Sequence, residues 1–269
     1  MVPTDMVPTD PFAAMADLPG VAAAVAAARG AVDRLIGHAV LTRNPDAVRG
    51  ETALRAARAN ALLSGLDVDL AALRTDAVLD AGAPALLRGA LRVAAELGDA
   101  AATWRRAPRQ ALARLHVLAA ADAQPSAGLG RPESAAAAAR LDLLADALAA
   151  PSTAPAVVVA AIVHGEVETC AAFGRSSGVV ARAAARLVLI TRGLDPVGVV
   201  APEVGHVALG LTEYQKALDG YASGSMVGVA AWLRHCAAAT GLAAAEALDV
   251  CAALAAGDGR PRVAHRRTV

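Results

Sequence analysis

Aromatic side chains are almost missing from this sequence: Phe, Tyr and Trp make up 2% of 269 residues, although hydrophobic residues reach 56%. The apolar share therefore comes from Ala, Leu and Val, and the core must be built from small and aliphatic groups. Small side chains let helices approach closely, so the shortage excludes an aromatic-rich core but favours tight helix packing. Lysine is nearly absent too, with Lys216 alone. An Ala-, Arg- and Val-rich chain with so little Lys has the bias of a GC-rich, actinobacterial-like genome. Net charge is also absent: 25 basic and 25 acidic residues give a formal charge of +0 and a pI near 7.0. No overall field draws nucleic acid or a membrane surface, so neither is expected as a partner. The three cysteines, Cys170, Cys236 and Cys251, are odd in number and scattered. They fit neither a disulfide framework nor a local zinc pattern, and read as reduced thiols in a cytoplasmic protein. No secretory signal pattern opens the chain, and the apolar run Ala156–Val163 is too short to span a bilayer.

What is present is helical patterning. After a doubled Met-Val-Pro-Thr-Asp start, read as an ambiguous initiation site or an added scar, residues 1–17 are expected to form a loose arm. Residues 18–256 are expected to form one helical domain, and 257–269 a disordered basic tail. Periodicity predicts helices over Gly20–Val40, Asp46–Ser64, Asp67–Thr75, Ala83–Gly98, Ala100–Ala121, Glu133–Ala149, Ala154–Cys170, Gly178–Gly193, Pro202–Ala208, Thr212–Ser223, Ser225–Ala239 and Ala243–Ala255. Asp46 is the expected cap of the second, Ser152 or Thr153 of the one containing Pro155, and Gly193 is the expected left-handed stop. Leu112, Leu115, Leu118 and Ala119 form one apolar stripe. The segment Gln124–Arg131 is the least helical internal stretch, and 121–133 has room for at most a short hairpin.

The stretch Phe173-Gly174-Arg175-Ser176-Ser177-Gly178-Val179-Val180-Ala181-Arg182 carries a phosphate-binding signal. A flexible Gly/Ser loop feeding a helix start presents free N–H groups to an anion, and Arg175 and Arg182 add positive charge. The commoner role of such a loop is a plain turn between helices.

This stretch resembles the motif of the Fic (Fic/DOC) family, His-x-Phe-x-(Asp/Glu)-Gly-Asn-Gly-Arg-x-x-Arg. The similarity continues through Ala160–Val167 with His164, Ala183–Gly193, Tyr214, Leu218–Tyr221 and Trp232-Leu233, from about Asp46 to Ala239. It implies an all-α, single-domain helical bundle. Ala171 then takes the place of the family's catalytic His, and a methyl cannot act as a base. Arg175 takes the place of the metal-holding acid, Ser176 and Ser177 that of the Gly-Asn pair, and Val179 that of the first Arg. Phe173, Gly178 and Arg182 remain. Asn60, Ser64 and Gly65 match the end of the family's inhibitory helix, with Ser64 at the Glu position. The resemblance therefore implies that Arg182 has lost its inhibitory partner; closure of the helix by Gly65 explains these residues equally well. His164 reads as a core histidine, and His116 and His206 have no partner that the sequence names.

The expected function is a degenerate Fic-type protein without AMP-transferase activity, acting as a binding, regulatory or interaction module. No metal and no cofactor are expected. The alternative is a transferase of altered chemistry that holds a nucleotide or phosphate without metal at the 171–182 loop. A protein partner or a homodimer suits the apolar helix faces. A bundle lacking two long helices joined at Ala171–Ser177 would make the resemblance accidental.

Overall fold

The structure is a computed structural model and describes residues 10–75, 82–123 and 125–257. The first nine residues, including the doubled start, and the basic tail from 258 lie outside the described residues. Thirteen α-helices follow in order among those described: α1 Ala13–Ala16, α2 Val21–Ile36, α3 Ala39–Arg43, α4 Pro45–Leu63, α5 Leu70–Arg74, α6 Ala85–Arg106, α7 Pro108–Ala120, α8 Ala135–Ala149, α9 Ala156–Thr169, α10 Ser177–Thr191, α11 Pro202–Leu209, α12 Leu211–Ala222 and α13 Met226–Ala256. Among the described residues there is no strand, so the all-α expectation holds.

Local chemistry sets the boundaries. The break expected near Gly98 falls instead at Ala107-Pro108, where Ala107 is non-helical (φ −147°, ψ 73°) and Pro108 opens α7. Proline has no N–H and restricts the residue before it, whereas Gly98 is tolerated inside α6. His38 caps α3 by accepting from the Val40 N–H at 3.3 Å, and this divides the expected Gly20–Val40 helix. Asn44, not Asp46, caps α4 through the Ala47 N–H at 3.4 Å; Asp46 lies in the first turn. Ser152 accepts from the Ala154 N–H, and α9 starts at Ala156, after Pro155, without a side-chain cap. Gly193 stops α10 at φ 78°, as expected. The two helices expected over 225–255 are one 31-residue helix.

The proposed hairpin at 121–133 is absent among the described residues. The chain there makes a 3₁₀ turn at Ser126–Gly128, and the Glu133 N–H donates to the Ala172 carbonyl at 2.9 Å. Pro125 and Pro132 remove donors that a ladder would need.

Residues 10–17, placed in the loose arm, are packed. Phe12 is 3% exposed within the main core. Asp10 accepts from the Phe12 and Thr153 N–H groups at 3.0 and 2.8 Å, which ties the start of the chain to the entrance of α9.

The core has three parts. The largest lies between α6, α7, α9 and α10, with Leu87, Leu112, Leu115 and Leu187 fully buried. The second joins α2 and α3 to α13 through Val32, Leu35, Ala244 and Val250. The third surrounds Trp232, whose indole N–H donates to the Ala161 carbonyl at 2.8 Å. Backbones touch where aromatics are missing. A Cβ on Gly89 would lie 2.0 Å from the Ala119 carbonyl oxygen, and one on Gly205 would lie 1.9 Å from that of Ala239. Helix α13 packs along α2, α11 and α12. It is also, among the described residues, one helix long and apolar enough to cross a membrane by length and composition, with 44% of that stretch buried in the fold.

Candidate functional site

Helices α9 and α10 are the two long helices joined at the motif loop. The joint is tight. Ala171 has φ 48°, a left-handed conformation that is uncommon for a residue with a Cβ. Gly174 at φ 52° follows it, and a Cβ there would meet the Glu133 carboxylate at 2.1 Å. Ser177 Oγ accepts from the Phe173 N–H at 2.9 Å, closing the loop onto the start of α10. Phe173 is buried against His116, ring centroids 4.7 Å apart. His116 in turn accepts from the Gly130 N–H at 3.2 Å.

The candidate phosphate residues divide. Arg175 is exposed, while Ser176 and Ser177 are buried. Arg182 is 3% exposed and turns inward. Its Nε donates to Asn60 Oδ1 at 2.7 Å and its Nη1 to Tyr214 Oη at 3.1 Å, with Glu168 Oε2 at 3.6 Å. The guanidinium stands directly before Gly178: a Cβ on that glycine would meet Arg182 Nη2 at 2.8 Å and Glu168 Oε1 at 3.0 Å. The space that a phosphate would need over the start of α10 is crowded by the protein's own ion pair.

The expectation that Arg182 lacks a partner from α4 needs correcting. Asn60, one turn before Ser64, supplies the contact. Ser64 Oγ donates instead to the Asn60 carbonyl at 2.9 Å and closes the helix, with Gly65 in the left-handed region at φ 83°. The amide of Asn60 is short enough to let Arg182 approach α4, and its Nδ2 donates to the Ala56 carbonyl at 2.9 Å and to Glu203 Oε1 at 3.5 Å. Glu203 also accepts from Arg186 Nη1 at 3.3 Å. Arg182 and Arg186 lie four apart on one face of α10, so Asn60 and Glu203 connect two buried cations in one polar seam.

Glu168, on the last turn of α9, was not singled out by the sequence. It accepts from Tyr214 Oη at 2.6 Å and from His164 Nε2 at 2.8 Å. Burial would raise its pKa, but the Arg182 charge and the His164 and Tyr214 hydrogen bonds outweigh burial and lower it to about 2. Glu168 is therefore a fixed anion. Burial would lower the Arg182 pKa, yet Tyr214 and Glu168 raise it. Burial pushes Tyr214 well above its usual range, so it stays a phenol. His164 is a core histidine, as expected. His206, for which the sequence named no partner, stacks on His235 with Nδ1···Nε2 at 3.1 Å. Burial first, then the neighbouring His164 and His235, push the His206 pKa well below 6.5.

The fold is that of Fic proteins. The chain is similar to a Fic family protein from Desulfovibrio desulfuricans G20, with a TM-score of 0.69 and 18% identity over 86% of this chain and 75% of that one. It is also similar to residues 134–508 of Fic-1 from C. elegans, with a TM-score of 0.68 and 16% identity over 86% and 72% of the two chains. No protein-family profile and no curated protein matches it.

Proposed function

We propose that this chain is a Fic-fold protein without nucleotidyl transfer, working as a binding or interaction module. Its motif loop is closed from within by Arg182. The observation that carries this reading is the buried guanidinium, bonded to Asn60 and Tyr214 and paired with Glu168 in front of Gly178. At the positions matched to the family motif, Ala171 offers no base, and Arg175 in place of an acid repels a divalent ion from the loop. An anion arriving at α10 would meet a cation already neutralised by Glu168. The remaining free charge is Arg175 at the loop surface, and a single exposed cation gives weak, salt-screened attraction.

The interaction half of the reading is supported by exposed apolar groups. Leu143 is 69%, Met226 60% and Val227 79% exposed. Leu143 borders a surface groove shared with Met15, Ile162 and Val229.

Incubation of purified protein with labelled ATP and Mg²⁺ is expected to label neither the chain nor added targets. Nucleotides at millimolar concentration are expected to leave the melting temperature unchanged. Strong labelling that disappears in Arg182→Ala would overturn the proposal. Light scattering after size exclusion tests self-association through the apolar faces.

A further inference from the structure

We propose that His164, His206 and Cys236 form a metal site in the core, taking a nitrogen- and sulfur-seeking ion of the zinc type. The site is separate from the motif loop and does not depend on the reading of that loop. The three residues come from α9, α11 and α13, so no local spacing in the sequence announces them. Their ligand atoms lie within 4.8 Å of one another, and all three residues are buried.

The two imidazoles are prepared as ligands. A metal-binding histidine ordinarily gives its other ring nitrogen to a carboxylate or a similar partner, which fixes the tautomer and orientation. His164 Nε2 meets Glu168 Oε2 at 2.8 Å. The carboxylate only accepts, so the imidazole proton sits on Nε2 and Nδ1 carries the lone pair. His206 uses Nδ1 on His235 Nε2 at 3.1 Å, which leaves Nε2. That atom is buried and has no hydrogen-bond partner, although His206 is only 1% exposed. A buried polar atom without a partner is costly, and an ion at the centre of the triangle satisfies it. Burial also pushes the His206 imidazole well below its usual range, which keeps its ring neutral, the form in which it can bind an ion.

Cys236 completes the set. Burial first, and then the charge of Glu168, push its thiol well above the usual range, so it is a thiol until an ion arrives. Binding then breaks the S–H bond, forms a metal–sulfur bond and releases one proton to solvent. Zinc–nitrogen and zinc–sulfur bonds of about 2.1 and 2.3 Å in tetrahedral geometry separate ligand atoms by roughly 3.5 Å. The triangle must therefore close by about 1 Å, drawing α9, α11 and α13 together around Trp232. Mg²⁺ and Ca²⁺, which require oxygen ligands, do not fit this donor set.

The test uses the full chain, stripped with a chelator and loaded with Zn²⁺ or Co²⁺ in two ways: added to folded protein, and present during refolding from denaturant, so that slow access to the core does not conceal the site. The expected result is one ion per chain by elemental analysis, with a thiolate-to-cobalt charge-transfer band. The band is expected to persist in a Cys170→Ser/Cys251→Ser double variant and to disappear in Cys236→Ser, whose affinity for Zn²⁺ falls at least about 100-fold. Absence of one bound ion after both loadings overturns the proposal. So does a bound ion without the thiolate band in the wild-type chain, a reading that needs no variant to fold.

Discussion

Replacing Glu168 by Gln removes one negative charge while keeping nearly the same shape, and it isolates what holds Arg182 in place. In the folded chain the Glu168 carboxyl is lowered from its ordinary 4.5 to about 2. A difference of that size corresponds to about 3 kcal/mol of stability at pH 7. The side chain is 19% exposed, so solvent screening removes little of this. The figure agrees with the roughly 3–5 kcal/mol lost when one partner of a buried ion pair is removed. The sign follows from the direction of the shift. A depressed carboxyl contributes fully above its unfolded value and loses the contribution as pH falls from about 4.5 through about 2. The stability difference between wild type and Glu168→Gln should therefore shrink from about 3 kcal/mol at pH 7 to about 1 kcal/mol at pH 3. In a chain of this size the variant should melt roughly 6–12 °C lower near neutrality. Urea unfolding of both proteins between pH 7 and 3, followed by circular dichroism, measures this directly. A loss below about 1 kcal/mol at pH 7, or a difference that does not change with pH, would refute the view that Glu168 neutralises a buried arginine.

Asn60→Ala leaves Arg182 Nε without its acceptor and should cost about 1.5–3 kcal/mol in the same assay, the usual worth of a hydrogen bond to a charged group. Gly205→Ala drives a methyl into the Ala239 carbonyl and should cost at least about 3 kcal/mol, whereas Gly98→Ala meets nothing within 4 Å and should gain about 0.5–1 kcal/mol; thermal melts of the two variants separate the cases. Phe12→Ala should lose about 3 kcal/mol by empirical cavity costs, because Phe12 is 3% exposed, and a silent substitution would mean that residues 10–17 are not docked. His235 is lowered to about 4, by burial first and His164 second, so nuclear magnetic resonance should show its ring uncharged at pH 5. Stability should also decline as pH falls below about 6.5, because the unfolded chain takes up the protons that His206 and His235 refuse.

The helical class and most helices were legible in the sequence, because Ala, Leu and Arg at helical spacing leave few alternatives. The boundaries that failed did so for local reasons. Gly98 and Gly241 looked like breaks, yet each is absorbed inside a long helix. At Gly241 an added Cβ would lie 3.7 Å from Ala28 Cα, so α2 passes close by. The packing of residues 10–17 was hidden because it rests on one aromatic, Phe12, and one distant contact between Asp10 and Thr153. At the loop, the sequence placed the joint correctly between α9 and α10. It could not show that Arg182 faces inward, since that depends on Glu168, Asn60 and Tyr214 from three other helices. Glu168 follows His164 by one turn, and that i, i+4 pair was the available signal. His206, His235 and Cys236 give no such signal, because α11 and α13 meet only in the folded chain.

The pairing of α2 with α13 also has a consequence in time. Helix α2 ends at Ile36 and α13 begins at Met226, so about 190 residues must be synthesised before α2 meets its main partner. At roughly 5–20 residues per second, that is about 10–40 s. Val32 and Leu35, fully buried in the second core of the finished fold, have no α13 to cover them during that interval. The second core is thus the last to close, and a ribosome pause before residue 226 extends the period in which the nascent chain depends on chaperones.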